Sequence, residues 1–373
     1  MSRLRLAVVG VGHLGKIHAR LAAGLAEIDL RAIVDGQREA CQAVAVETGA
    51  RPLSDFRELF GEVDAAVVAT PTATHCRVAS ELMRGGIHVL VEKPLAPTVD
   101  EADELVQIAR KHQLVLQVGH VERFNPAFVA AQPQLADARY IEARRCSGFT
   151  FRSTDVGVVM DLMIHDIDAA LSLIPAEVVR IDAVGTAVLG EHEDLASARL
   201  EFANGAVANL TASRVSYAPQ RTMQVFTPRR FAAIDFAAKR VTLIEPSEQV
   251  VQRTLRLDAI DAQRRDRLKE TLFEELLLKR ELPVVDSNAL AEELRDFAAA
   301  IVQGRRPQVT GVDGRNAVAI AARVIEAVRR SQQHGESPRR SEDRAPSIPL
   351  PAAAFKADRF STDDTVILRR KTG

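Results

Sequence analysis

Five short, almost continuously apolar runs punctuate the first third of the chain. Runs of this kind are typical of strands buried on both faces of a parallel sheet, and helix-compatible segments lie between them. Strands that alternate with helices predict βαβ units and a doubly wound sheet. The predicted strands are Leu4–Gly10, Leu30–Asp35, Val63–Thr70, Ile87–Glu92 and Leu114–Gly119, and the predicted helices are His13–Leu25, Gln37–Thr48, Ala73–Arg84 and Thr98–Lys111.

The rhythm changes after residue 123, where strands follow one another without helices between them. Asn204-Gly205 separates two apolar runs and predicts a hairpin with a type I′ turn, in which both central residues have positive φ. Strands in series, flanked by helices, predict an α+β domain with a mostly antiparallel sheet. The elements expected are an alternating run at Arg139–Cys146, a helix at Val159–Leu173, strands between Val178 and Leu257, and helices at Ala289–Val302 and Gly314–Arg329.

Length and composition agree with two folded domains. The chain has 373 residues, of which 47% are hydrophobic, and roughly 150 residues per domain is usual. We predict a first domain over residues 1–123, a second over residues 124–330, and a flexible polar tail over residues 331–373. Within the tail, Asp364–Arg370 has the composition of a short strand or docking motif, although disorder is favoured there.

Charge and composition exclude several classes of protein. Forty-nine basic residues against 50 acidic ones give a net charge of -1, which argues against a nucleic-acid-binding protein. No apolar run approaches the roughly 20 residues needed to cross a bilayer, and the N-terminus lacks a signal-peptide pattern. The three cysteines are scattered without metal-ligand spacing, so we expect no metal site and a cytoplasmic location.

A glycine-rich turn connects the first predicted strand to the first predicted helix. Residues 10–15 read Gly-Val-Gly-His-Leu-Gly, and an acid, Asp35, ends the second predicted strand. This context is typical of a dinucleotide-binding site, where the glycines let the backbone approach a pyrophosphate and the acid binds a ribose. A carboxylate there repels a 2′-phosphate and favours NAD, while Arg38 keeps NADP open. The cofactor contacts expected here are Gly10, Gly12, His13, Leu14, Gly15, Asp35 and Arg38.

Two further clusters carry candidate chemistry. Lys93 follows the fourth predicted strand within Glu92-Lys93-Pro94, and the carboxyl ends of such strands line a ligand cleft. A cis peptide is compatible with the Lys93-Pro94 bond. Asp161, His165 and Asp168 have helical spacing that places them on one face of the predicted helix. A histidine between carboxylates is either part of a buried polar network or a general acid–base.

Together, Glu92-Lys93-Pro94 and the segment from Asp161 to Asp168 resemble the Gfo/Idh/MocA oxidoreductases. Residues 70–75, Thr-Pro-Thr-Ala-Thr-His, also resemble the segment that lines the cofactor cleft in that family. The resemblance covers about residues 3–330 and implies a Rossmann domain followed by a domain with a large open sheet, which often forms the interface of a homodimer or homotetramer. Lys93, Asp161 and His165 match the family's catalytic residues. The other cofactor contacts that the resemblance implies are Thr70, Pro71, Thr72, His75, Glu92, Lys93, Pro94 and His120.

A second motif narrows the expected substrate. Residues 119–126 read Gly-His-Val-Glu-Arg-Phe-Asn-Pro and are similar to the branch of this family that oxidises the 3-hydroxyl of UDP-N-acetylhexosamines. Arg123 suits a diphosphate because a guanidinium can bind phosphate oxygens bidentately. Asn125 suits a sugar hydroxyl or amide, although Asn-Pro is also typical of a helix start. The substrate contacts expected are Lys93, Arg123, Asn125, Asp161, His165 and Arg214. Arg144, Arg145 and Arg152 are more readily explained by surface salt bridges.

The sequence therefore predicts an NAD-dependent dehydrogenase of a sugar or nucleotide sugar. In the mechanism we expect, His165 takes the hydroxyl proton, Asp161 orients His165, and Lys93 stabilises the charge on the oxygen. Dehydrogenases of a free polyol or sugar, or of a UDP-sugar uronic acid, remain alternatives with the same mechanism. A sensor of NAD or sugar built on the same fold is a further alternative, which the presence of Lys93, Asp161 and His165 disfavours.

Overall fold

The computed structural model describes residues 3–151 and 156–336. Its first half contains a six-stranded, fully parallel sheet in the order β3-β2-β1-β4-β5-β6. The strands are β1 Leu4–Val9, β2 Ile28–Val34, β3 Arg51–Leu53, β4 Ala65–Val68, β5 His88–Glu92 and β6 Leu116–Gly119, and the helices between them are α1 His13–Gly24, α2 Arg38–Thr48, α3 His75–Arg84 and α4 Val99–His112.

The doubly wound sheet is confirmed, and each predicted strand and helix in this half lies within a few residues of its expected bounds. The strand that the sequence analysis missed is β3, which has only three residues and contains Pro52. Proline cannot donate to a ladder and is confined to sheet edges, and β3 is the edge strand. A run this short and interrupted has no periodicity to detect.

The second half contains an eight-stranded sheet in the order β14-β13-β12-β11-β7-β10-β9-β8. All neighbouring strands are antiparallel except β7 and β10, which are parallel. The mostly antiparallel sheet is therefore confirmed. The strands are β7 Tyr140–Cys146, β8 Val178–Thr186, β9 Leu195–Phe202, β10 Val207–Ser213, β11 Gln220–Phe226, β12 Phe231–Asp235, β13 Arg240–Pro246 and β14 Leu277–Glu281.

The hairpin between β9 and β10 forms at Asn204-Gly205, but the predicted turn type is wrong. Gly205 has a φ of 79°, and Asn204 is not among the residues with positive φ. The Gly205 N–H donates to Phe202 O, and the Asn204 side chain accepts a hydrogen bond from Ala206 N. This is the geometry of a longer loop that ends on a left-handed glycine, so one positive φ is sufficient.

Several helices of the second half contact the large sheet, and one of them returns to the first sheet. They are α5 Pro126–Ala131, α6 Ile164–Leu173, α7 Glu248–Val251, α8 Ala262–Glu270, α9 Leu272–Glu275, α10 Ala289–Gln303 and α11 Gly311–Glu336. We expected strands from Val178 to Leu257. This is wrong at the end of the range, because Glu248–Val251 forms the helix α7. Leu294, Phe297 and Ala298 of α10 pack into the core of the first sheet, although the predicted boundary places α10 in the second domain.

The described residues up to His334 form one compact unit, so a boundary at residue 123 stays a prediction. The predicted tail begins too early, since α11 continues to Glu336. The rest of that tail, including Asp364–Arg370, lies outside the described residues. Within the part of the chain that the structure describes, no helix is both long and apolar enough to span a membrane.

Candidate active site

The glycine-rich loop lies between β1 and α1, at the carboxyl end of the parallel sheet. Gly10 has a φ of 93°, and a Cβ there would lie 2.7 Å from Ala69 C. A Cβ on Gly15 would lie 1.8 Å from Gly10 O. These two glycines are therefore required by the packing of the loop itself. A Cβ on Gly12, in contrast, would meet nothing within 4 Å.

Gly12 lines an open cleft of about 780 Å³, and the packing of the protein itself does not require a glycine there. Gly12 is the N-cap of α1, whose first turn carries neither a side-chain cap nor an acidic residue. The free N–H groups of such a turn suit a pyrophosphate. Asp35 lies in the same cleft, where its carboxylate accepts hydrogen bonds from Val11 N and Gln37 N, both at 2.7 Å. These residues fit a dinucleotide.

The other expected cofactor contacts divide into cleft residues and supporting residues. His13, Thr70 and Pro71 line the cleft, together with Lys16, which the sequence analysis did not single out. Arg38 is exposed at the start of α2, Leu14 and Thr72 are half-buried, and Pro94 is buried. His75 is buried, and its ring nitrogens lie 2.8 Å from Thr70 O and 3.0 Å from Pro94 O. It therefore ties together the loops that follow β4 and β5 and does not face the cleft.

Lys93 joins the two halves of the chain at the end of β5, where the Lys93-Pro94 peptide is cis. Its Nζ donates to Asp161 O at 2.7 Å and to Asp161 Oδ1 at 3.2 Å. The two side chains remain 15% and 22% exposed, respectively. The ammonium group is thus held in a fixed position and still has access to a ligand.

Asp161 lies in a π-helical segment, Val159–Met163, that leads directly into α6. Glu193, between β8 and β9, fixes the start of this segment: its backbone oxygen accepts from Val158 N and its carboxylate accepts from Val159 N. Single π-helical turns are common at functional sites because they displace one residue from the regular helix. The sequence predicted an ordinary helix here.

His165 lies one turn further along, at the start of α6, and is half-buried. Burial, followed by the positive charges of Lys93 and Arg145, lowers the pKa of His165 well below its ordinary value. The imidazole is therefore neutral at neutral pH, which is the state that a general base requires. His120 is fully buried after β6, and its ring lies edge-on to that of His165 with 6.1 Å between the centroids.

The two aspartates do not flank His165 as the sequence analysis expected. The hydrogen bonds that the structure gives the Asp161 carboxylate come from Lys93. Asp168 is buried and lies 3.5 Å from Arg123 Nη1. Helical spacing places residues on one face of a helix, but it does not determine which partner each side chain meets across that face.

The expected substrate contacts other than Lys93, Asp161 and His165 have structural partners. Arg123 is buried against Asp168, and only 9% of its side chain is exposed. Asn125 caps α5 by accepting from Ala127 N and donates to Phe236 O, as Asn-Pro at a helix start predicts. Arg214 is buried and donates to Asp194 and to Val156 O. The geometry therefore does not favour these three as substrate ligands.

Two buried polar groups near the site were missed. Arg145 was interpreted as a surface residue, but it is buried and donates bidentately to Asp166 and also to Glu122. Arg144 is exposed as expected, and Arg152 lies outside the described residues. His18, which no motif of the sequence singles out, is the second: its Nε2 lies 2.6 Å from Glu92 Oε1. Alternation in β7 predicts an inward position for residue 145, which could have signalled that burial.

Comparisons with known proteins agree with this geometry. Residues 4–120 match the family model described as "Oxidoreductase family, NAD-binding Rossmann fold", and residues 129–229 match the "GFO/IDH/MocA C-terminal domain". The chain is 38% identical to UDP-N-acetylglucosamine 3-dehydrogenase of Acidithiobacillus ferrooxidans, over 88% of this chain and 98% of that protein. It is 25% identical to inositol 2-dehydrogenase of Rhizobium meliloti, over 88% and 98% of the two chains.

A solved structure of the Acidithiobacillus ferrooxidans enzyme matches with a TM-score of 0.77 and 36% identity, over 88% of this chain and 98% of that one. Fold, site and comparisons thus define an NAD-binding oxidoreductase. The chain belongs to the Gfo/Idh/MocA family, as the resemblance in its motifs implied.

Proposed function

We propose that this oxidoreductase uses NAD to oxidise the 3-hydroxyl of a UDP-N-acetylhexosamine to the 3-keto sugar. The observation that carries the proposal is the meeting of Lys93 with Asp161 beside a neutral His165, at the carboxyl end of the cofactor-binding sheet. The nucleotide-sugar assignment is supported by the relative that is 38% identical over 98% of its own length.

Each side chain then has a separate task. His165 accepts the proton of the substrate hydroxyl, since its imidazole is neutral. The Lys93 ammonium donates a hydrogen bond to the same oxygen and stabilises the negative charge that develops there. Asp161 holds Lys93 in position, which replaces the role of orienting His165 expected from the sequence. When bound, NAD supplies the hydride acceptor.

The preference for NAD over NADP rests on Asp35. Its carboxylate is fixed by two backbone N–H groups at the end of β2, where it would accept hydrogen bonds from ribose hydroxyls and repel a 2′-phosphate. Arg38, which the sequence offered in favour of NADP, is exposed at the start of α2 and is not among the residues that line the cleft. Cytoplasmic location and a homodimer or homotetramer stay predictions.

A diphosphate needs a cation within reach of the site, and we propose Arg221 in place of Arg123. The Arg221 side chain is 49% exposed, whereas that of Arg123 is 9% exposed. The charge of Arg221 also lowers the pKa of His165. Burial and the charges of Lys93, Arg145 and His120 have larger effects on this pKa. Arg221 Nη2 donates to the buried carboxylate of Glu122, which fixes one end of the guanidinium while the side chain stays partly exposed.

The test follows NADH formation with UDP-N-acetylglucosamine, UDP-N-acetylgalactosamine, a UDP-N-acetylglucosaminuronic acid, myo-inositol and glucose. We expect reduction of NAD with the UDP-N-acetylhexosamines, with Lys93→Met lowering kcat by about 10²–10⁴ and leaving the Kd for NAD unchanged. Lys111→Met, at an exposed position at the end of α4, is the matched control. Reduction of NAD with myo-inositol and with none of the UDP-sugars would favour the polyol alternative, which the inositol 2-dehydrogenase relative supports.

A further inference from the structure

Behind Lys93 lies a cluster of buried polar side chains that the proposed reaction does not use. His18 comes from α1, Glu92 from β5, Gln117 from β6 and Glu293 from α10, and all four are buried. A ring nitrogen of His18 and one carboxylate oxygen each of Glu92 and Glu293 all lie within 4.8 Å of one another. Four separate elements thus converge on one polar site in an otherwise apolar interior.

The hydrogen bonds of this cluster satisfy the carboxylate of Glu92 but not that of Glu293. Glu92 Oε1 accepts from His18 Nε2 at 2.6 Å, and Glu92 Oε2 accepts from Lys93 N at 3.2 Å. Both carboxylate oxygens of Glu293 are buried without a hydrogen-bond partner. Gln117 Nε2 donates to the Glu293 backbone oxygen and not to the Glu293 side chain.

The environment of Glu293 disfavours its ionised form. A buried carboxylate without a partner is costly, and a second carboxylate close by makes it costlier. Burial, followed by the negative charges of Glu92 and Asp296, raises the pKa of Glu293 well above its usual value. Burial opposes ionisation of Glu92 as well, but the hydrogen bond and charge of His18, with Lys93 nearby, hold the pKa of Glu92 below its usual value. The surroundings therefore favour the neutral form of Glu293 and the ionised form of Glu92.

We propose that Glu293 is a protonated carboxylic acid that donates a hydrogen bond to the ionised Glu92, and that it thereby acts as a positioning residue for Lys93. The Glu293 hydroxyl, whose carboxyl oxygens have no other partner among the described residues, would then add a third donor to the two that Glu92 already has, His18 Nε2 and the backbone N–H of Lys93. The remaining side is closed by Gly119, where a Cβ would lie 2.9 Å from Glu92 Oε2. The effect on turnover rests on the function proposed above, whereas the protonation state does not.

The same three side chains could also be considered as ligands of a metal ion, and the distances disfavour this. Two ligands of one tetrahedral zinc ion lie about 3.4 Å apart, given bonds of about 2.1 Å. His18 Nε2 and Glu92 Oε1 are 2.6 Å apart, which is a hydrogen-bond distance. His18 and Glu92 therefore form a hydrogen bond in this geometry and are too close together to be two ligands of one ion.

Infrared spectroscopy of the full chain tests the protonation state directly. We expect a carbonyl stretching band of a protonated carboxylic acid near neutral pH, and we expect Glu293→Gln to remove it. Glu292→Gln, one residue earlier on the exposed side of α10 and paired with Arg295, is the matched control and should keep the band. Absence of the band from the wild-type protein would overturn the proposal. A stoichiometric divalent metal that is lost in Glu293→Gln would overturn it as well.

Stability as a function of pH provides a second readout. Because the pKa of Glu293 is raised in the folded state, the folded chain binds an extra proton there, and its stability falls as the pH rises above the unfolded pKa. The titratable groups that face Glu293 are His18, Glu92 and Asp296. Since glutamine cannot ionise, the Tm of Glu293→Gln minus that of the wild type should increase from about pH 5 to about pH 8. A decrease over that range would show that the ionised form is stabilised.

Turnover separates positioning from a purely structural role. Glutamine can still donate to Glu92, so Glu293→Gln should keep kcat within about threefold of wild type, while Glu293→Leu should lower kcat by about tenfold with an unchanged Kd for NAD. Equal losses in both variants would contradict the proposed hydrogen bond. If no substrate is oxidised by any form of the protein, the proposed function fails, and the infrared and stability results still decide the protonation of Glu293.

Discussion

The charge of His165 depends on side chains that lie far from it in the sequence. Lys93 comes from the end of β5, and Arg145 comes from β7, yet both charges act on the same imidazole. Each positive charge makes the protonated ring less stable, and burial acts in the same direction. His165 is thus kept neutral and ready to accept a proton over a wider pH range than an exposed histidine.

This charge state predicts the pH dependence of the reaction. Since the pKa of His165 is lowered in the folded protein, kcat/KM should stay level as the pH falls from about 8 and should decrease only below about 6.5, the usual pKa of histidine. The measurement is kcat/KM against pH, with the Kd for NAD followed over the same range as a control. An acid limb centred at or above pH 6.5 would contradict the account.

At this scale the sequence singled out Lys93 and His165 as candidates because each stands in a recognisable motif, and their roles stay predictions. It did not identify the partners, which come from distant segments. Asp161 was expected to orient His165 and instead holds Lys93. Arg123 was expected to meet a ligand and instead lies buried against Asp168. Side-chain partners depend on tertiary packing, which spacing along one helix does not encode.

Among the elements, the turn between β1 and α1 contains glycines with different reasons for lacking a side chain. Some are required by the packing of the protein, and another borders the cleft. Gly15 leaves room for the backbone of Gly10, whereas Gly12 leaves room only for what enters the cleft. Gly24, at the end of α1, likewise has nothing near its absent Cβ but does not line the cleft. Gly12, Gly15 and Gly24 can therefore be compared within one strand–turn–helix unit: the first borders the cleft, the second is required by packing, and the third does neither.

Substitution of these glycines by alanine should give three different outcomes. Gly12→Ala should weaken NAD binding by at least about tenfold while leaving the Tm of the free protein unchanged, because Gly12 has a φ of -61° that alanine adopts readily. Gly15→Ala should lower the Tm, since its Cβ clashes with the backbone. Gly24→Ala should affect neither property. Calorimetry and NAD titration measure both, and normal NAD binding by Gly12→Ala would contradict the assignment of the cleft.

The elements themselves were largely predictable where a long apolar period defines them. The parallel strands and their helices follow from continuous apolar runs, and the hairpin position follows from Asn204-Gly205. The π-helical turn at Val159–Met163 was not predictable, because one added residue leaves the amphipathic pattern almost unchanged. The turn is held by Glu193, which lies between β8 and β9 and accepts a hydrogen bond from Val159 N.

Across the whole molecule, a buried ion network connects the two sheets near the site. Arg145 of β7 binds Asp166 of α6 and Glu122 of the segment after β6, and all three side chains are almost fully buried. Burial opposes the charge on Arg145, yet the two carboxylates raise the pKa of its guanidinium. Such a network is costly to break, because the remaining charges stay buried without partners.

Removal of this arginine should therefore destabilise the whole chain. Arg145→Ala should lower the free energy of unfolding by about 3–5 kcal/mol. Arg144→Ala, at the neighbouring exposed position that pairs with Glu142, should change it by at most about 1 kcal/mol. Chemical denaturation of both variants measures the difference. Equal stability of the two variants would mean that the network contributes no net stabilisation.

The return of α10 to the first sheet was also beyond the reach of the sequence. Leu294, Phe297 and Ala298 have the spacing of any amphipathic helix, and this spacing does not say which sheet they meet. The consequence is functional, since α10 brings Glu293 to the back of Glu92 and Lys93. Long-range placement of this kind is decided by the packing of the complete chain.

If the chain oxidises the 3-hydroxyl of a UDP-N-acetylhexosamine, as we propose, the hydride that reaches NAD comes from C3 of the sugar. The most direct measurement uses UDP-N-acetylglucosamine carrying deuterium at C3, with mass spectrometry of the nicotinamide product. We expect deuterium in NADH from the C3-labelled substrate and none from a C4-labelled control. Transfer from another carbon, or the absence of NAD reduction by this substrate while a free polyol reduces NAD, would contradict it.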